Sequence, residues 1–202
     1  MLLLITGASG VGKSTVRAVI EPALPPTVEC VELSQLVPLP AVPTRVWRQQ
    51  ATEAVVRRAV DLQAGGRHLL LSGDPVAAAE VAAVPSATRL DAIAICLLDL
   101  APEAQAERLQ ARGDDPTLLP HHRAFAEWMR NQTTDPLHMT DVLSEGGWEE
   151  MRWERLEELA PDWHMHTIDA THMTRRDVAD QVLDWCRRAL EGDAPALRVK
   201  GV

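Results

Sequence analysis

Five short apolar runs divide the chain, and several of them are continuous rather than alternating. They are Leu2–Thr6, Val28–Leu33, His68–Ser72, Ala92–Leu98 and Met165–Ile168. Strands that are buried on both faces have such continuous runs, whereas a strand with one wet face alternates apolar and polar residues. The pattern therefore predicts five β-strands in a sheet that is covered on both faces.

Segments with helical spacing lie between these runs. Three of them stop near a glycine, which is a common helix end: Arg45–Ala64 before Gly65, Ala104–Arg112 before Gly113, and Thr174–Leu190 before Gly192. Prolines that suit the first turn of a helix stand at Pro75, Pro102 and Pro136. Strands that alternate with helices predict βαβ units, and so an α/β protein with a parallel sheet, right-handed crossovers and helices on both faces.

The alternation breaks between the fourth and fifth predicted strands. Residues 113–160 hold no strand-like run and are polar, which predicts a helical insertion within a single domain spanning residues 1–202. Its tryptophans, Trp128, Trp148 and Trp153, suit stacking against a flat substrate, but packing inside the helical insertion is the favoured interpretation. The tail at residues 192–202 has no periodicity, and we expect it to be frayed and flexible.

A glycine-rich segment directly follows the first predicted strand. Its residues are Gly7, Ala8, Ser9, Gly10, Val11, Gly12, Lys13 and Ser14, followed by Thr15, and they fit the Walker A pattern G-x-x-x-x-G-K-[ST] at every fixed position. Glycines let the backbone wrap around a phosphate, and the helix that follows aims its positive end at the same anion. We expect Lys13 to reach the β- and γ-phosphates of a nucleotide and the Ser14 hydroxyl to bind Mg²⁺.

A carboxylate is expected near that magnesium, at the end of a neighbouring strand. Asp74 stands two residues after the run His68–Ser72 and is the best candidate, acting directly or through water. The alternative is that Asp74 caps a helix opened by Pro75. One carboxylate is able to fill both roles.

With this loop the chain resembles the small P-loop kinases, the group of nucleotide, shikimate, gluconate and chloramphenicol kinases. The resemblance covers most of the chain and is motif-specific at Gly7–Thr15. It implies a three-layer α/β/α fold with five parallel strands in the order 2-3-1-4-5, ATP and Mg²⁺ as cofactors, and a helical lid. Two softer matches are Glu107–Gly113, the lid helix, and Ile168–Thr171, where the family's adenine-contacting loop lies; Ala170 and Thr171 are therefore expected to contact adenine.

The candidate residue for the acceptor side stands at the end of the second predicted strand. Glu32 resembles the strand-2 carboxylate of the chloramphenicol and shikimate kinases, although those use Asp. Ligands sit at the carboxyl ends of parallel strands, so we expect Glu32 to orient or deprotonate the acceptor hydroxyl. A helix-capping or solvated Glu32 is the equal alternative.

An anionic acceptor would need arginines, and the family's usual ones are missing. Monophosphate kinases carry an arginine after the third strand and deoxynucleoside kinases an E-R-S-like triplet, whereas this chain has Ser72–Val76 there. Arg45 or Arg48 is a candidate to hold an anionic acceptor, and each is explained as well by a surface position. The departures favour a neutral hydroxyl acceptor.

The predicted lid carries two pairs of arginines. Arg108 and Arg112 are four residues apart on one helix face, and we expect one of them to reach the phosphates. Ion pairs with Glu103 or Glu107 are the alternative. Arg123 and Arg130 could add a second lid contact, but a solvated helix face explains them better.

Composition removes several function classes. The net charge of −9, from 20 basic and 29 acidic residues, argues against a nucleic-acid partner. Lys13 and Lys200 are the only lysines, so the N-K-x-D loop of GTPases has no lysine to build it. The three cysteines (Cys30, Cys96 and Cys186) are widely spaced, which predicts neither a disulfide framework nor a zinc site. No run suits a signal peptide or a membrane helix, so we expect a cytoplasmic protein without a membrane partner.

Together these observations predict an ATP- and Mg²⁺-dependent kinase that transfers the γ-phosphate to a hydroxyl of a small molecule. A nucleoside or nucleoside monophosphate kinase is the alternative among enzymes. An ATP-binding regulator or resistance protein with little turnover is the alternative from another class. Release of ADP that depends on an acceptor separates the enzymes from the regulator.

Overall fold

The computed structural model describes residues 1–74 and 76–200, and its centre is a five-stranded parallel sheet. The strands are β1 Leu2–Thr6, β2 Val28–Glu32, β3 His68–Ser72, β4 Ile93–Asp99 and β5 His166–Asp169. Their order is β2-β3-β1-β4-β5, and every neighbouring pair is parallel. The predicted fold class and strand order are confirmed, and each predicted apolar run matches a strand to within one residue at either end.

Helices connect the strands and cover both faces of the sheet. They are α1 Lys13–Ile20, α2 Leu33–Leu36, α3 Arg45–Gln63, α4 Ala78–Ala83, α5 Pro102–Arg112, α6 Leu119–Asn131, α7 Asp141–Ser144, α8 Arg155–Leu159 and α9 Arg175–Glu191. Pro102 begins α5, whereas Pro136 lies in a turn. The predicted helix start at Pro75 lies outside the described residues. Across residues 1–74 and 76–200, no helix combines the length and apolarity needed to cross a bilayer.

The direction of the crossovers assigns the helices to faces. The connection from β1 to β2 runs along the sheet in one direction, and every later connection runs in the other. Right-handed crossovers therefore place α1 on one face and α3, α4 and α5 on the opposite face. In agreement with this, α1 packs against α9, while α3 packs against β3 and α4. All strands end, and α1 to α5 all begin, at one edge of the sheet.

The continuous apolar runs are explained by this double cover. Leu2, Leu3, Leu4 and Ile5 of β1 are all fully buried, although alternate residues of a strand point to opposite faces. Strand β1 lies at the centre of the sheet, between β3 and β4. Both of its faces therefore require apolar side chains.

The insertion at residues 113–160 belongs to the core. Its Trp128, Leu143 and Leu156 are buried in the same apolar cluster as the sheet, and Trp148 and Trp153 pack against that cluster. Two hydrogen bonds tie its end to the end of α4: the Arg152 N–H donates to Ala83 O at 2.7 Å, and the Arg155 guanidinium donates to the carbonyl of the next residue, Val84, at 2.8 Å. These contacts support the packing interpretation of the tryptophans.

The tail was expected to be frayed, but its described part, which ends at Lys200, is partly packed against the rest of the protein. Leu197 and Ile93 form an antiparallel bridge, with N···O distances of 2.8 and 2.9 Å in the two directions. Leu197 and Val199 are also buried. The physical reason is that two apolar side chains, spaced two apart, find an uncovered position beside the start of β4. Residues 201–202 lie outside the described part.

A fully buried carboxylate, Glu80, ties α3 to α4. The Arg48 Nη2 group lies 2.7 Å from Glu80 Oε1, and Arg48 Nε donates to both carboxylate oxygens at 3.1 Å. The Gln49 amide adds a longer contact of 3.4 Å to Glu80 Oε1. Arg48 is therefore the counter-ion of a core carboxylate rather than a free surface residue.

The Arg48→Ala variant is expected to lose about 3–5 kcal/mol of unfolding free energy, because it leaves Glu80 charged and unpaired in the core. The measurement is urea denaturation followed by circular dichroism. Arg57→Ala is the matched control, since Arg57 is exposed on the same helix and makes no ion pair in the described part of the chain. Its loss should stay within about 0.5 kcal/mol. Equal losses in the two variants would refute the role given to Arg48.

Candidate nucleotide and acceptor site

The glycine-rich loop joins β1 to α1 at the carboxyl edge of the sheet. Position 7 requires a glycine, because φ there is +146° and a Cβ would lie 2.4 Å from Leu98 O. Gly12 forms the N-cap of α1, so the amino end of that helix opens into the loop. Backbone N–H groups and a helix amino end provide a binding site for an anion.

The Lys13 side chain lies inside this loop. It is buried, and its amine donates to Gly7 O at 2.8 Å and to Ala8 O at 3.0 Å. Burial lowers the pKa of the amine to about 8; the carboxylates of Asp74 and Glu32 act in the opposite direction, and Arg112 lowers the pKa further. The loop, both predicted carboxylates and one predicted lid arginine thus lie close enough to share one electrostatic environment.

Two cavities flank the loop. The first has a volume of about 250 Å³ and is lined by Ser9, Gly10, Gly12, Lys13, Ser14, Thr15, Gly73, Arg108 and Arg112. Its size and positive lining suit phosphate groups. The second has about 410 Å³ and is lined by Gly10, Val11, Gly12, Thr15, Val16, Arg108, Ala111, Arg112, Met173, Arg175 and Val178. Its apolar and arginine side chains suit a flat base.

Arg108 and Arg112, the arginines predicted to belong to a lid, line both cavities. Arg108 donates to Val11 O and to Ala170 O, each at 3.3 Å, and so connects the phosphate loop to the segment after β5. Arg112 pairs with Asp114 through two hydrogen bonds, of which the one from Nε is 2.6 Å long. The expected alternative partners, Glu103 and Glu107, do not pair with these arginines in the described residues.

The expectation that Ala170 and Thr171 contact adenine stays a prediction, and both residues make hydrogen bonds within the protein. Ala170 is buried and offers its carbonyl to Arg108, while Thr171 Oγ1 accepts from the Ala101 N–H at 2.8 Å. Met173 and Arg175, which follow in the chain, line the larger cavity instead. Neither residue was predicted from the sequence. The signal for them is the start of α9 after its Thr174 cap, because such a helix start lies at the ligand edge.

Glu32 and Asp74 both lie at the start of α2. Glu32 is the N-cap of that helix and forms a capping box with Gln35. The Arg17 guanidinium lies 3.4 Å from Glu32 Oε1, and Asp74 Oδ2 accepts from the Leu33 N–H at 2.8 Å. Glu32 therefore caps α2, which is the alternative given for it, and Asp74 accepts from the first N–H of the same helix, whereas the expected helix at Pro75 lies outside the described residues. Arg17, one helical turn after Lys13, was missed in the sequence analysis.

The donors beside the loop fit Mg²⁺. The Ser14 side chain is exposed, and Asp74 Oδ1 makes no hydrogen bond to any described residue. Hydroxyl and carboxylate oxygens are ligands that Mg²⁺ prefers, and this ion is usually held by one or two protein groups together with phosphates and water. Residues 1–74 and 76–200 contain no cluster of three or more acidic, His or Cys ligands, so a metal cage built by protein alone is not formed there.

The remaining predicted residues lie farther along the edge. Arg45 begins α3 and is half-buried. Arg123 and Arg130 line a separate cavity at the ends of β4 and β5, where Arg130 Nη1 lies 3.5 Å from Asp99 Oδ1. The structure thus brings Lys13, Ser14, Glu32, Asp74, Arg108 and Arg112 to one region and leaves Arg123 and Arg130 out of the lining of the two cavities beside the loop.

Solved structures with the same fold include kinases. A sugar kinase from Janibacter sp. HTCC2649 superposes with a TM-score of 0.57 at 15% identity, covering 94% of this chain and 96% of that one. A chain of the Pnkp1/Rnl/Hen1 RNA repair complex gives 0.50 at 17% identity, covering 65% of this chain. Shikimate kinase from Acinetobacter baumannii, in complex with shikimate, gives 0.43 at 17% identity over 93% of both chains. No protein-family model and no curated protein matches the chain.

The likenesses with TM-scores of 0.57 and 0.50 show the fold alone, and the chain has the fold of the P-loop kinases. The family resemblance seen in the sequence is confirmed at that level. The matching part of this chain covers only 45% of the RNA repair protein's length. Because that neighbour belongs to an RNA repair complex, the expected absence of a nucleic-acid partner stays a prediction.

Proposed function

We propose that this protein is an ATP- and Mg²⁺-dependent kinase that transfers the γ-phosphate to a hydroxyl of a small molecule. One observation carries the proposal: a buried lysine in a glycine-rich anion loop lies near two carboxylates from the ends of neighbouring strands and two arginines from α5. Phosphoryl transfer needs this combination of positive charge around the phosphates and a carboxylate at the attacking hydroxyl.

The nucleotide half of the site stabilises charge. Lys13 and the loop N–H groups neutralise the charge that develops on the phosphate oxygens, and Arg108 and Arg112 add positive charge from α5. Ser14 and Asp74 would hold Mg²⁺, which when bound neutralises and orients the phosphates. The apolar cavity beside Met173 and Arg175 receives the base.

The acceptor half uses Glu32. The acceptor hydroxyl oxygen forms a bond to the γ-phosphorus while the bond from that phosphorus to the bridging oxygen of ADP breaks. Glu32 takes the proton that the hydroxyl loses, and ADP leaves with the electron pair of the broken bond. Arg17 holds the Glu32 side chain from one side, and Gly73 packs against it from another.

The test is ADP release with Mg-ATP across a panel of acceptors. The panel contains nucleosides, nucleoside monophosphates, sugars, sugar acids, shikimate-like alcohols and hydroxylated antibiotics; sugars are included because a sugar kinase is similar over nearly the whole chain. ADP release that requires both one acceptor and Lys13 supports a kinase. Bound ATP without acceptor-dependent ADP release across the panel contradicts the proposal and favours a nucleotide-binding regulator.

Gly73 gives a second test, because it leaves room for Glu32. Its φ is +92°, and a Cβ there would lie 2.6 Å from Glu32 Cδ. Gly73→Ala therefore displaces the carboxylate, and a shift near 1 Å should lower kcat about tenfold to 10²-fold. Steady-state kinetics with the identified acceptor provide the measurement.

Gly66→Ala is the matched control for Gly73→Ala. Gly66 also has a positive φ, +69°, but nothing lies within 4 Å of a Cβ at that position. It carries similar backbone strain without crowding the site, so its kcat should equal that of the wild type. If Gly73→Ala also retains full kcat, the Glu32 carboxylate is not in the reaction.

A further inference from the structure

We infer that Gln105, in the first half of α5, is a positioning residue for the phosphate loop and keeps the loop ordered for an anion before a nucleotide binds. The inference rests on the proposed function as far as nucleotide binding, and it adds to the site a residue that touches neither the nucleotide nor the acceptor. Its basis is the contact between α5 and the loop backbone.

Helix α5 lies directly against the backbone of the loop. The Gln105 side-chain amide donates to Ser9 O at 3.0 Å, and a Cβ on Gly10 would lie only 3.2 Å from Leu109 Cδ2. Gln105 and Leu109 are four residues apart and so share one face of the helix. Both are buried, and neither lines the two cavities beside the loop. This face therefore supports the loop from outside the nucleotide site.

The direction of the loop carbonyls decides where the loop N–H groups point. A backbone that binds an anion turns its N–H groups toward the anion and its carbonyls away, and a buried carbonyl then needs a donor. Lys13 donates to Gly7 O and Ala8 O, and Gln105 donates to Ser9 O. In the proposed function Lys13 also contacts the phosphates, so its carbonyl bonds compete with the nucleotide. The bond from Gln105 has no such competitor.

Half of the Gln105 amide is unsatisfied, and packing alone does not explain this. The residue is 1% exposed, and its Oε1 is buried without a hydrogen-bond partner among the described residues. Because Ser9 O can only accept, the amide nitrogen must face it and the oxygen must face away. An apolar side chain of similar size would avoid the cost of the unpartnered oxygen. The donor to Ser9 is therefore what a glutamine adds at this position.

Arg108 does not replace Gln105 in this role. Its guanidinium donates to Val11 O, but at 3.3 Å and from an exposed residue. Water competes with such a bond, whereas it is excluded from the bond between Gln105 and Ser9. Gln105 is therefore the buried contact that fixes the loop relative to the helix carrying both site arginines.

Gln105→Met tests the inference, because it removes the donor and nearly keeps the size of the side chain. We expect the Kd for Mg-ADP to rise about 10- to 100-fold, as one buried carbonyl is left without a donor. Adenosine has no phosphate, so its affinity should stay within about twofold of the wild type. Calorimetry measures ADP, and competition against ADP measures adenosine. An unchanged Kd for ADP overturns the inference, and so does an equal loss for adenosine, which would show that α5 has shifted as a whole.

Gln110→Met is the matched control, since it makes the same chemical change at an exposed position of the same helix. Its Kd for ADP should stay within about twofold of the wild type. Gln105→Glu is the second test variant, because a carboxylate of the same size cannot donate to Ser9 O; it should lose at least as much ADP affinity as Gln105→Met. Circular dichroism shows which variants are folded. If neither variant at position 105 folds, the residue is required for the fold and the positioning role is overturned.

Order in the free loop provides a readout that needs no ligand. In Gln105→Met the amide order parameters of Ser9 and Gly10, measured by NMR relaxation, should fall from about 0.85 to below about 0.6. Unchanged values overturn the inference and leave the proposed kinase intact. Conversely, wild-type protein that binds ADP and turns over no acceptor contradicts the kinase and leaves the inference standing. Wild-type protein that binds no ADP overturns both.

Discussion

Lys13→Ala should lower acceptor-dependent ADP release about 10³-fold, which is the cost of removing one preorganised charge donor from a phosphoryl-transfer site. The amine is buried in the loop and held by two backbone carbonyls, a position that differs from that of Arg108 and Arg112, which line the cavity from α5. The chain offers no substitute lysine, because the only other one is Lys200. The measurement is ADP release with saturating acceptor, and retention of wild-type activity would contradict the phosphate-loop assignment.

The pH dependence of ATP binding distinguishes the contribution of the Lys13 charge to ATP affinity from the contribution of the size of its side chain. Burial lowers the pKa of the amine to about 8 in the free protein. The charged form binds phosphate, so ATP affinity should be highest below pH 8 and should fall as the pH rises through and above that value. Lys13→Ala should show weaker binding without this decline. Calorimetric titration with Mg-ATP from about pH 6.5 to about pH 9.5 tests both curves, because this range extends more than one pH unit to either side of the pKa of the amine.

Glu32→Gln should lower kcat about 10²- to 10⁴-fold, the usual contribution of a positioned general base. The substitution keeps the size of the side chain and an oxygen for the capping box, so the Kd for ATP should change little. A pre-steady-state measurement of the chemical step, with the Kd measured separately, tests this. If the rate is unaltered, Glu32 is only the cap of α2.

Gln35→Ala is the matched control for that outcome. Gln35 is the other half of the capping box, and its Oε1 accepts from the Glu32 N–H at 2.7 Å. Removing it weakens the start of α2 by about 1 kcal/mol while leaving the Glu32 carboxylate in place. A small loss of stability with near-normal kcat would show that capping alone does not explain the Glu32→Gln result.

The strands were predictable because their burial imposes a simple pattern. A strand such as β1, covered on both faces, must be apolar at every position, and this leaves a continuous run in the sequence. No such run indicates the order of the strands, since crossover direction depends on packing between distant segments. The order was predicted only from the resemblance of Gly7–Thr15 to the P-loop kinases.

The phosphate loop was predictable because all of its parts are neighbours in the chain. Its partners were harder to predict. Met173 and Arg175 line the larger cavity beside the loop because the chain at the start of α9 lies across this cavity from Arg108 and Arg112, and the pairing of Arg48 with Glu80 joins residues on two helices. The bridge between Leu197 and Ile93 is similar. Such contacts depend on tertiary geometry, and a single sequence contains no local signal for them.

The packing of the insertion also has a consequence for the order in which the chain is made. Gln49 in α3 donates to Leu143 O at 2.8 Å and accepts from the Trp148 N–H at 2.6 Å, across 94 and 99 residues of chain. Helix α8 also packs against α4, so the side of α3 and α4 that faces the insertion lacks part of its cover until synthesis has passed α8. A nascent chain released before that point exposes this surface to the cell, which makes truncated products prone to aggregate and to need chaperones.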